Sequence, residues 1–590
     1  MGIPGRGMPA AFPGYIMNTS LDLVFLWHMH QPDYRDYATG EFSLPWVYLH
    51  AMKDYSDMAS HLERHPKVRA VVNFVPILLD QLEDYEQQFA SNQLRDPLLR
   101  LLARDDLSCL SPAEHQFILD SCFRSNHTKM IAPYPAYKRL HDLFRTLEPS
   151  GDVVLSYLSG QYLADLLTWY HLAWCGESVR REHDVLVELM SKGEGFDASD
   201  RQQLLSVIGH TVSGIIPRYR KLAASGQIEI SATPHYHPLA PLLLDLNSAR
   251  ESIPDSSLPQ SVRYPGGHSR VAAHIHSALE THRARFGVTP QGIWPAEGAV
   301  STGLLELLAQ QDCHWAASGE TVLANSLRAA HGSDLADRSY YLYRPYHISG
   351  ASKKVHCFFR DDKLSDLIGF EYSRWHGKDA ALHFVAQVEE IARQNHSGDS
   401  PVVSVILDGE NAWEYYPYNG YYFLDDLYTA LEDHPVIQTN TFSDYLANTG
   451  KQGSFAFSNE GELPRLVAGS WVYGTFSTWI GCPDKDRAWD LLCMAKQSYD
   501  MVLVSGHLTE VERKAAERQL ASCESSDWFW WFGDYNPSHA VESFDRLYRH
   551  NLIHLYHLLK LPAPATLNHP LSHGGRGDEV EAGGAMRRGS

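Results

Sequence analysis

Seven short, apolar, β-rich runs are spaced along the chain between longer amphipathic stretches: Leu21–Trp27, Val68–Val75, Ile228–Thr233, Gly292–Trp294, His314–Ala317, Val355–Phe359 and Val402–Leu407. Runs of this kind read as strands buried on both faces, and their alternation with helices predicts a parallel sheet closed by βα connections. Several are followed at their carboxyl ends by polar or ionisable residues, among them His28, His30, Glu297, Arg360, Asp361 and Asp408. In a βα barrel those ends form the active-site rim. The expected fold is therefore α/β, a barrel with helices around it.

A chain of 590 residues is longer than one hydrophobic core usually serves. The pattern divides it into a flexible start (1–18), a catalytic barrel (19–450) with a helical insertion around 80–225, a C-terminal helical domain (451–562), and an unstructured tail (563–590) rich in Pro, Gly and His.

With 71 acidic and 50 basic residues the formal charge is −21. That excess repels nucleic acid and anionic membranes and suits a neutral substrate. The 14 Trp and 31 Tyr supply flat rings on which sugar faces stack, although a large aromatic core would need them too. The eight Cys are scattered, with no C-x-x-C pair, so neither a disulfide framework nor a thiolate metal site is expected. No signal-peptide or membrane-spanning run is evident, and a cytoplasmic location is expected.

Glycosidic bonds are commonly broken by two carboxyl groups, one on each side of the anomeric carbon. Glu297 follows a strand through Pro295, which stops the ladder and holds the carboxylate at a rim, and Trp294 stands just before it. Asp408 ends the apolar run Val402-Val-Ser-Val-Ile-Leu and precedes Glu410 and Trp413; apolar walls and neighbouring acids there would raise its pKa. Helix capping or surface exposure is the alternative for either acid. Alternation places His28 and His30 on one face of the first strand. They are read as partners for sugar hydroxyls, since no third metal ligand of matching type is evident nearby. In the run from Gly226 to Pro238, Glu229 and His237 are candidate cavity residues, with His235 behind them.

Together these segments resemble glycoside hydrolase family 57, the group of α-amylase-like enzymes, amylopullulanases, 4-α-glucanotransferases and glycogen branching enzymes. Five motifs match in order: His28-Met-His30-Gln31-Pro; Gly226-Gln-Ile-Glu229 with His237; Gly292-Ile-Trp294-Pro-Ala-Glu297; Asp408-Gly-Glu410-Asn-Ala-Trp413-Glu; and Gly469-Ser-Trp471 through Ser477-Thr-Trp479-Ile-Gly-Cys-Pro-Asp. The resemblance implies that Glu297 is the nucleophile and Asp408 the general acid/base, in an incomplete seven-stranded (β/α)7 barrel with a C-terminal helical domain over its mouth. It also implies substrate contacts by Arg360, Asp361, Trp528, Trp530 and Asp534, the last three in the segment Ser526-Asp-Trp-Phe-Trp-Trp-Phe-Gly-Asp. Cys482 departs from relatives that carry an acidic residue after Trp-Ile-Gly.

The implied substrate is an α-glucan or maltooligosaccharide, the implied chemistry retaining, and no cofactor or metal is called for. Hydrolysis and glucan transfer share every catalytic residue, so the motifs do not separate them. A metal-dependent carbohydrate deacetylase or mannosidase using His28 and His30, and a non-catalytic glucan-binding protein, are the readings of other classes.

Overall fold

The computed structural model describes residues 20–333, 335–350, 353–394, 400–449 and 460–575. The start at 1–18 and the end of the tail, from 576, lie outside them.

The seven expected strands form in place: β1 (Leu21–Met29), β2 (Ala70–Phe74), β3 (Ile228–Ala232), β4 (Gly292–Ile293), β5 (Trp315–Gly319), β6 (His356–Arg360) and β7 (Val402–Asp408). Each pairs in parallel with the next, and β7 pairs along β1 from Asp22↔Val402 to His28↔Asp408. The Arg360↔Ser404 pairing of β6 with β7 closes the barrel. β4 is two residues long because Pro295 cannot extend the ladder. Gly292 within it is obligatory, since a Cβ there would fall 1.8 Å from the Trp315 ring.

Strand alternation sorts the side chains. Leu23, Phe25, Trp27 and Met29 of β1 face the surrounding helices, whereas Val24 and Leu26 join Val71, Trp294, Trp315, Phe358 and Ile406 in a separate cluster that fills the barrel. These apolar side chains fill much of the barrel below its carboxyl rim.

Between β2 and β3 lies the helical insertion, from the helix Pro76–Ser91 to Ala198–Ala224. The latter starts with an Asp197/Asp200 capping box, which satisfies orphan amides at its first turn. After the barrel come the helices Pro483–Ser505, Glu510–Cys523, Asp527–Trp531 and Ser538–Leu558.

Two boundaries differ from the sequence reading. Residues 460–482 belong with the barrel, not the helical domain: Gly461–Leu463 pairs with Tyr346–Ile348, and Gly469 bridges Val300. Residues 563–575 are packed, not unstructured. Leu567 and Leu571 are buried, and the Asp545 carboxylate accepts the backbone N–H of Leu571 at 2.7 Å. Two apolar anchors and one buried carboxylate suffice to order a segment that lacks periodicity. Among the described residues no helix is long and apolar enough to cross a membrane, and all eight cysteines are free.

Candidate active site

One large cavity opens at the carboxyl end of the barrel, and Glu297 and Asp408 both line it. Glu297 follows Pro295 in a tight turn, with φ 58° and ψ 25°, a left-handed conformation costly for a side chain bearing a Cβ. Remote segments hold it there: the Trp471 N–H and the Ser470 hydroxyl donate to the Glu297 carbonyl at 3.2 and 2.8 Å. Its carboxylate accepts from the Ser526 hydroxyl at 3.2 Å. Burial, then the charges of Asp527 and Asp408, push the Glu297 pKa up to about 8, with Ser526 and Trp471 pulling the other way.

Asp408 ends β7 beside His28 and accepts from the Asn411 amide at 2.8 Å. Burial raises its pKa, opposed by Asn411, His30 and Arg360. Gly409 lets the chain turn here, as a Cβ would lie 2.1 Å from the Met29 sulfur. Glu410 is a third acid on the cavity, raised well above the ordinary range by burial and by Asp408 and Asp54. It accepts the His30 N–H at 3.2 Å and the Gln31 amide at 3.4 Å, so Gln31 steers the carboxyl group.

Three histidines form one wall. His28 pairs through Nδ1 with the Asn73 side-chain oxygen at 2.7 Å, and burial followed by the His30 charge lowers its pKa to about 3. That acceptor places the proton on Nδ1 and leaves Nε2 bare. His30 contacts Asp527 at 2.9 Å and stacks on His237. His237 is also left-handed, at φ 57°, and its carbonyl takes the Ser526 N–H at 2.9 Å. Its Nδ1 lies 2.9 Å from the Ser526 hydroxyl, which in turn donates to Glu297. Buried atoms on cavity-lining residues without a protein partner include His237 Nε2, His30 Nδ1, Glu410 Oε2 and Trp174 Nε1. A ligand dense in hydroxyls can satisfy such a set.

Arg360 and Trp471 line the cavity with these groups, the guanidinium carbon 5.7 Å from the centre of the Trp471 ring. Trp530 does too. Seven other expected contacts stand elsewhere. Glu229 does face the barrel interior, but near its amino end, where its carboxylate accepts from Trp315 Nε1 at 2.8 Å. Trp294 is buried below the cavity, edge-on to Trp471. Asp361 is buried as the cap of the helix Asp362–Asp366 and bonds Tyr343. Trp413 packs outside the barrel against Trp27 and donates to the Gly409 carbonyl at 2.9 Å, bracing the turn that carries Asp408. Trp479 backs Trp530 at 5.7 Å between ring centres. Trp528 is buried in the helical domain, and Asp534 is exposed beyond the end of its helix.

The sequence reading passed over Asp527, Trp531, Trp46 and Trp174, all on the cavity wall. A signal existed for the first two. On the helix Asp527–Trp531, positions 527, 530 and 531 share one face, and that face looks into the cavity while Trp528 and Phe529 are buried.

His30, His237 and Asp527 offer ligand atoms within 4.8 Å of one another, so they are the residues that could approach a metal ion. The two imidazoles, however, lie stacked 17° from parallel with centroids 3.7 Å apart. Tetrahedral coordination needs ring nitrogens whose lone pairs converge on one point about 2.0–2.1 Å away. Stacked rings direct theirs side by side.

A βα barrel with two carboxyl groups at its rim, flanked by histidines and tryptophans and covered by a helical domain, is the framework of a carbohydrate-active barrel enzyme. The family model for glycosyl hydrolase family 57 matches residues 24–457, and the chain belongs to that family. It is accordingly a glycoside hydrolase or glucan transferase. No curated protein matches the sequence. Among solved structures, a family 57 branching enzyme from Thermococcus kodakaraensis is 16% identical, with 91% of this chain and 90% of that chain covered and a TM-score of 0.54. A branching enzyme of the same type from Pyrococcus horikoshii is 15% identical over 96% and 99%, TM-score 0.53. An α-amylase from Thermotoga maritima is 14% identical over 92% and 93%, TM-score 0.53. At these identities the likeness is one of fold.

Proposed function

We propose that this protein cleaves α-1,4-glucosidic bonds, and α-1,6 bonds if its subsites admit them, with retention of anomeric configuration. Asp408 protonates the interglycosidic oxygen while the Glu297 carboxylate attacks the anomeric carbon, and the leaving sugar departs with that proton. The covalent glycosyl-enzyme is then opened by an acceptor hydroxyl that gives its proton to Asp408, restoring both groups. Water as acceptor makes the reaction hydrolysis, of the α-amylase or amylopullulanase kind; a sugar hydroxyl makes it transfer, as in a 4-α-glucanotransferase or branching enzyme. The observation that carries the reading is the approach of Glu297 and Asp408 to one cavity, close enough for the Asp408 charge to be felt at Glu297, beside buried polar atoms suited to sugar hydroxyls.

Burial, then the Asp527 and Asp408 charges, favour a proton on Glu297. The reactive form keeps a proton on Asp408 and none on Glu297. Ser526 favours it by donating to Glu297. Eight free thiols are compatible with a reducing, cytoplasmic setting.

The test is incubation with maltooligosaccharides, amylose and pullulan, with products separated by chromatography beside Glu297→Gln and Asp408→Asn controls. Shorter products alone indicate hydrolysis, and longer ones transfer. Undiminished activity in the Glu297 variant would sink the assignment.

A further inference from the structure

Outside the cavity, where the helical domain meets the barrel, a carboxylate with no solvent exposure is enclosed by donors. Glu524 accepts from Arg270 through Nε at 2.8 Å and Nη2 at 2.7 Å, from His274 Nε2 at 2.7 Å, and from the Tyr264 hydroxyl. Glu524 closes the helical-domain helix Glu510–Cys523, while Arg270 and His274 belong to the barrel helix Gly267–Phe286. Burial alone would raise the Glu524 pKa, but Arg270 and His274 hold it far below the ordinary carboxylate range. A charge so deeply buried is tolerated only with its partners in place, so the cluster fixes the register of the two elements it joins.

The cluster reaches the catalytic cavity along two short arms. On one, Glu524 is followed directly by Ser525, Ser526 and Asp527, of which Ser526 touches Glu297 and Asp527 touches His30. On the other, His274 accepts the Tyr236 N–H through Nδ1 at 3.4 Å, and its carbonyl takes the His235 N–H at 3.1 Å, which fixes the turn that presents His237. The arms meet where Ser525 bridges Pro238 and the Ser526 N–H bonds the His237 carbonyl.

We infer that Glu524 and His274 are positioning residues for the reaction proposed above: their buried pairing aligns Ser526 and Asp527 with His237 and so holds the Ser526 hydroxyl on Glu297. Neither touches substrate. The cluster makes the active site depend on docking of the helical domain, and it does so through charge and hydrogen-bond geometry, not through apolar packing, which would tolerate a slide of one surface over the other.

The inference rests on that functional reading for its kinetic arm only. Hydrogen–deuterium exchange on the full chain tests it without turnover. In Glu524→Gln, peptides covering 524–528 and 234–238 should exchange at least severalfold faster, while the centre of the helix Ser538–Leu558 keeps its wild-type rate. Unchanged exchange in both segments, or a uniform rise through the helical domain, overturns the inference. Should Glu524→Gln not fold, His274→Gln serves: its amide still donates to Glu524 but offers nothing well placed to the Tyr236 N–H, so 234–238 should loosen more than 524–528. Equal loosening of both, or of neither, counts against the two-arm arrangement.

Kinetically, Glu524→Gln should lower kcat with little change in KM, and adding it to Ser526→Ala should cost much less than it costs wild type, because both act through one hydroxyl. Full additivity would reduce Glu524 to a structural residue. If the wild type turns over no α-glucan, the proposed function fails while the exchange result still decides the positioning role.

Discussion

The imidazole of His30 lies on that of His237 with ring centroids 3.7 Å apart and planes 17° from parallel. Nitrogens on rings so stacked do not converge on one ion. Activity of extensively chelated, metal-free protein should therefore equal that of untreated protein; a loss restored by zinc would show that the rings reorient around a metal.

The acid limb of the kcat/KM profile should report ionisation of Glu297, whose pKa stands near about 8 in the free site through burial and then the Asp527 and Asp408 charges. Removing the Asp527 charge lowers that pKa. Asp527→Asn should accordingly shift the limb to lower pH, and a shift upward, or none, would contradict the electrostatic account.

Stability carries the same signature with a definite sign. Glu297 has a folded pKa above its unfolded value near 4.5, so the native state binds the extra proton between those limits and loses stability as pH rises through them. Glu297→Gln cannot ionise. Its unfolding free energy should exceed that of the wild type at pH 8, by an amount on the order of 4 kcal/mol, and the gain should nearly vanish at pH 4.5.

Ser526→Ala removes the hydroxyl shared by Glu297 and His237. A hydrogen bond to a charged group is worth roughly 1.5–3 kcal/mol. Steady-state kinetics should show kcat lower by about ten- to a hundredfold, with KM nearly constant. A change confined to KM would make Ser526 a substrate-binding residue only.

Trp531 stacks on Phe544 with ring centres 4.5 Å apart, on the stretch of cavity wall contributed by the helical domain. Sugars far from the scissile bond would meet it. Trp531→Ala should raise KM severalfold for maltoheptaose and leave maltotriose nearly unaffected; equal effects on both would place Trp531 next to the cleaved bond.

Much of this was legible in the order of residues. Apolar runs of strand length marked all seven barrel strands, because a strand buried on both faces has few other compositions open to it. Strand-end position marked Asp408, His28 and His30. Glu229 shows the limit of the same rule: alternation tells which side of the sheet a residue faces, not how high it stands in the barrel, and Glu229 lies near the bottom against Trp315 and Ser443. In the segment that follows Ser526, aromatic content drew attention to Trp528 and Trp530, of which only Trp530 shares the helical face that reaches the cavity, with Asp527 and Trp531.

By itself, then, the sequence determined the strands, their parallel order and the acids at their carboxyl ends, since these follow from local periodicity and from Pro295 ending β4. Tertiary structure alone decided what those acids are chemically. Glu297 is held in a left-handed turn by Ser470 and Trp471, and its proton affinity is raised by burial, then by Asp527 and Asp408, against the hydrogen bond from Ser526, 229 residues further along the chain. Electrostatic and hydrogen-bond energies depend on separation in space and on exclusion of water, and neither quantity exists until the helical domain has closed over the barrel.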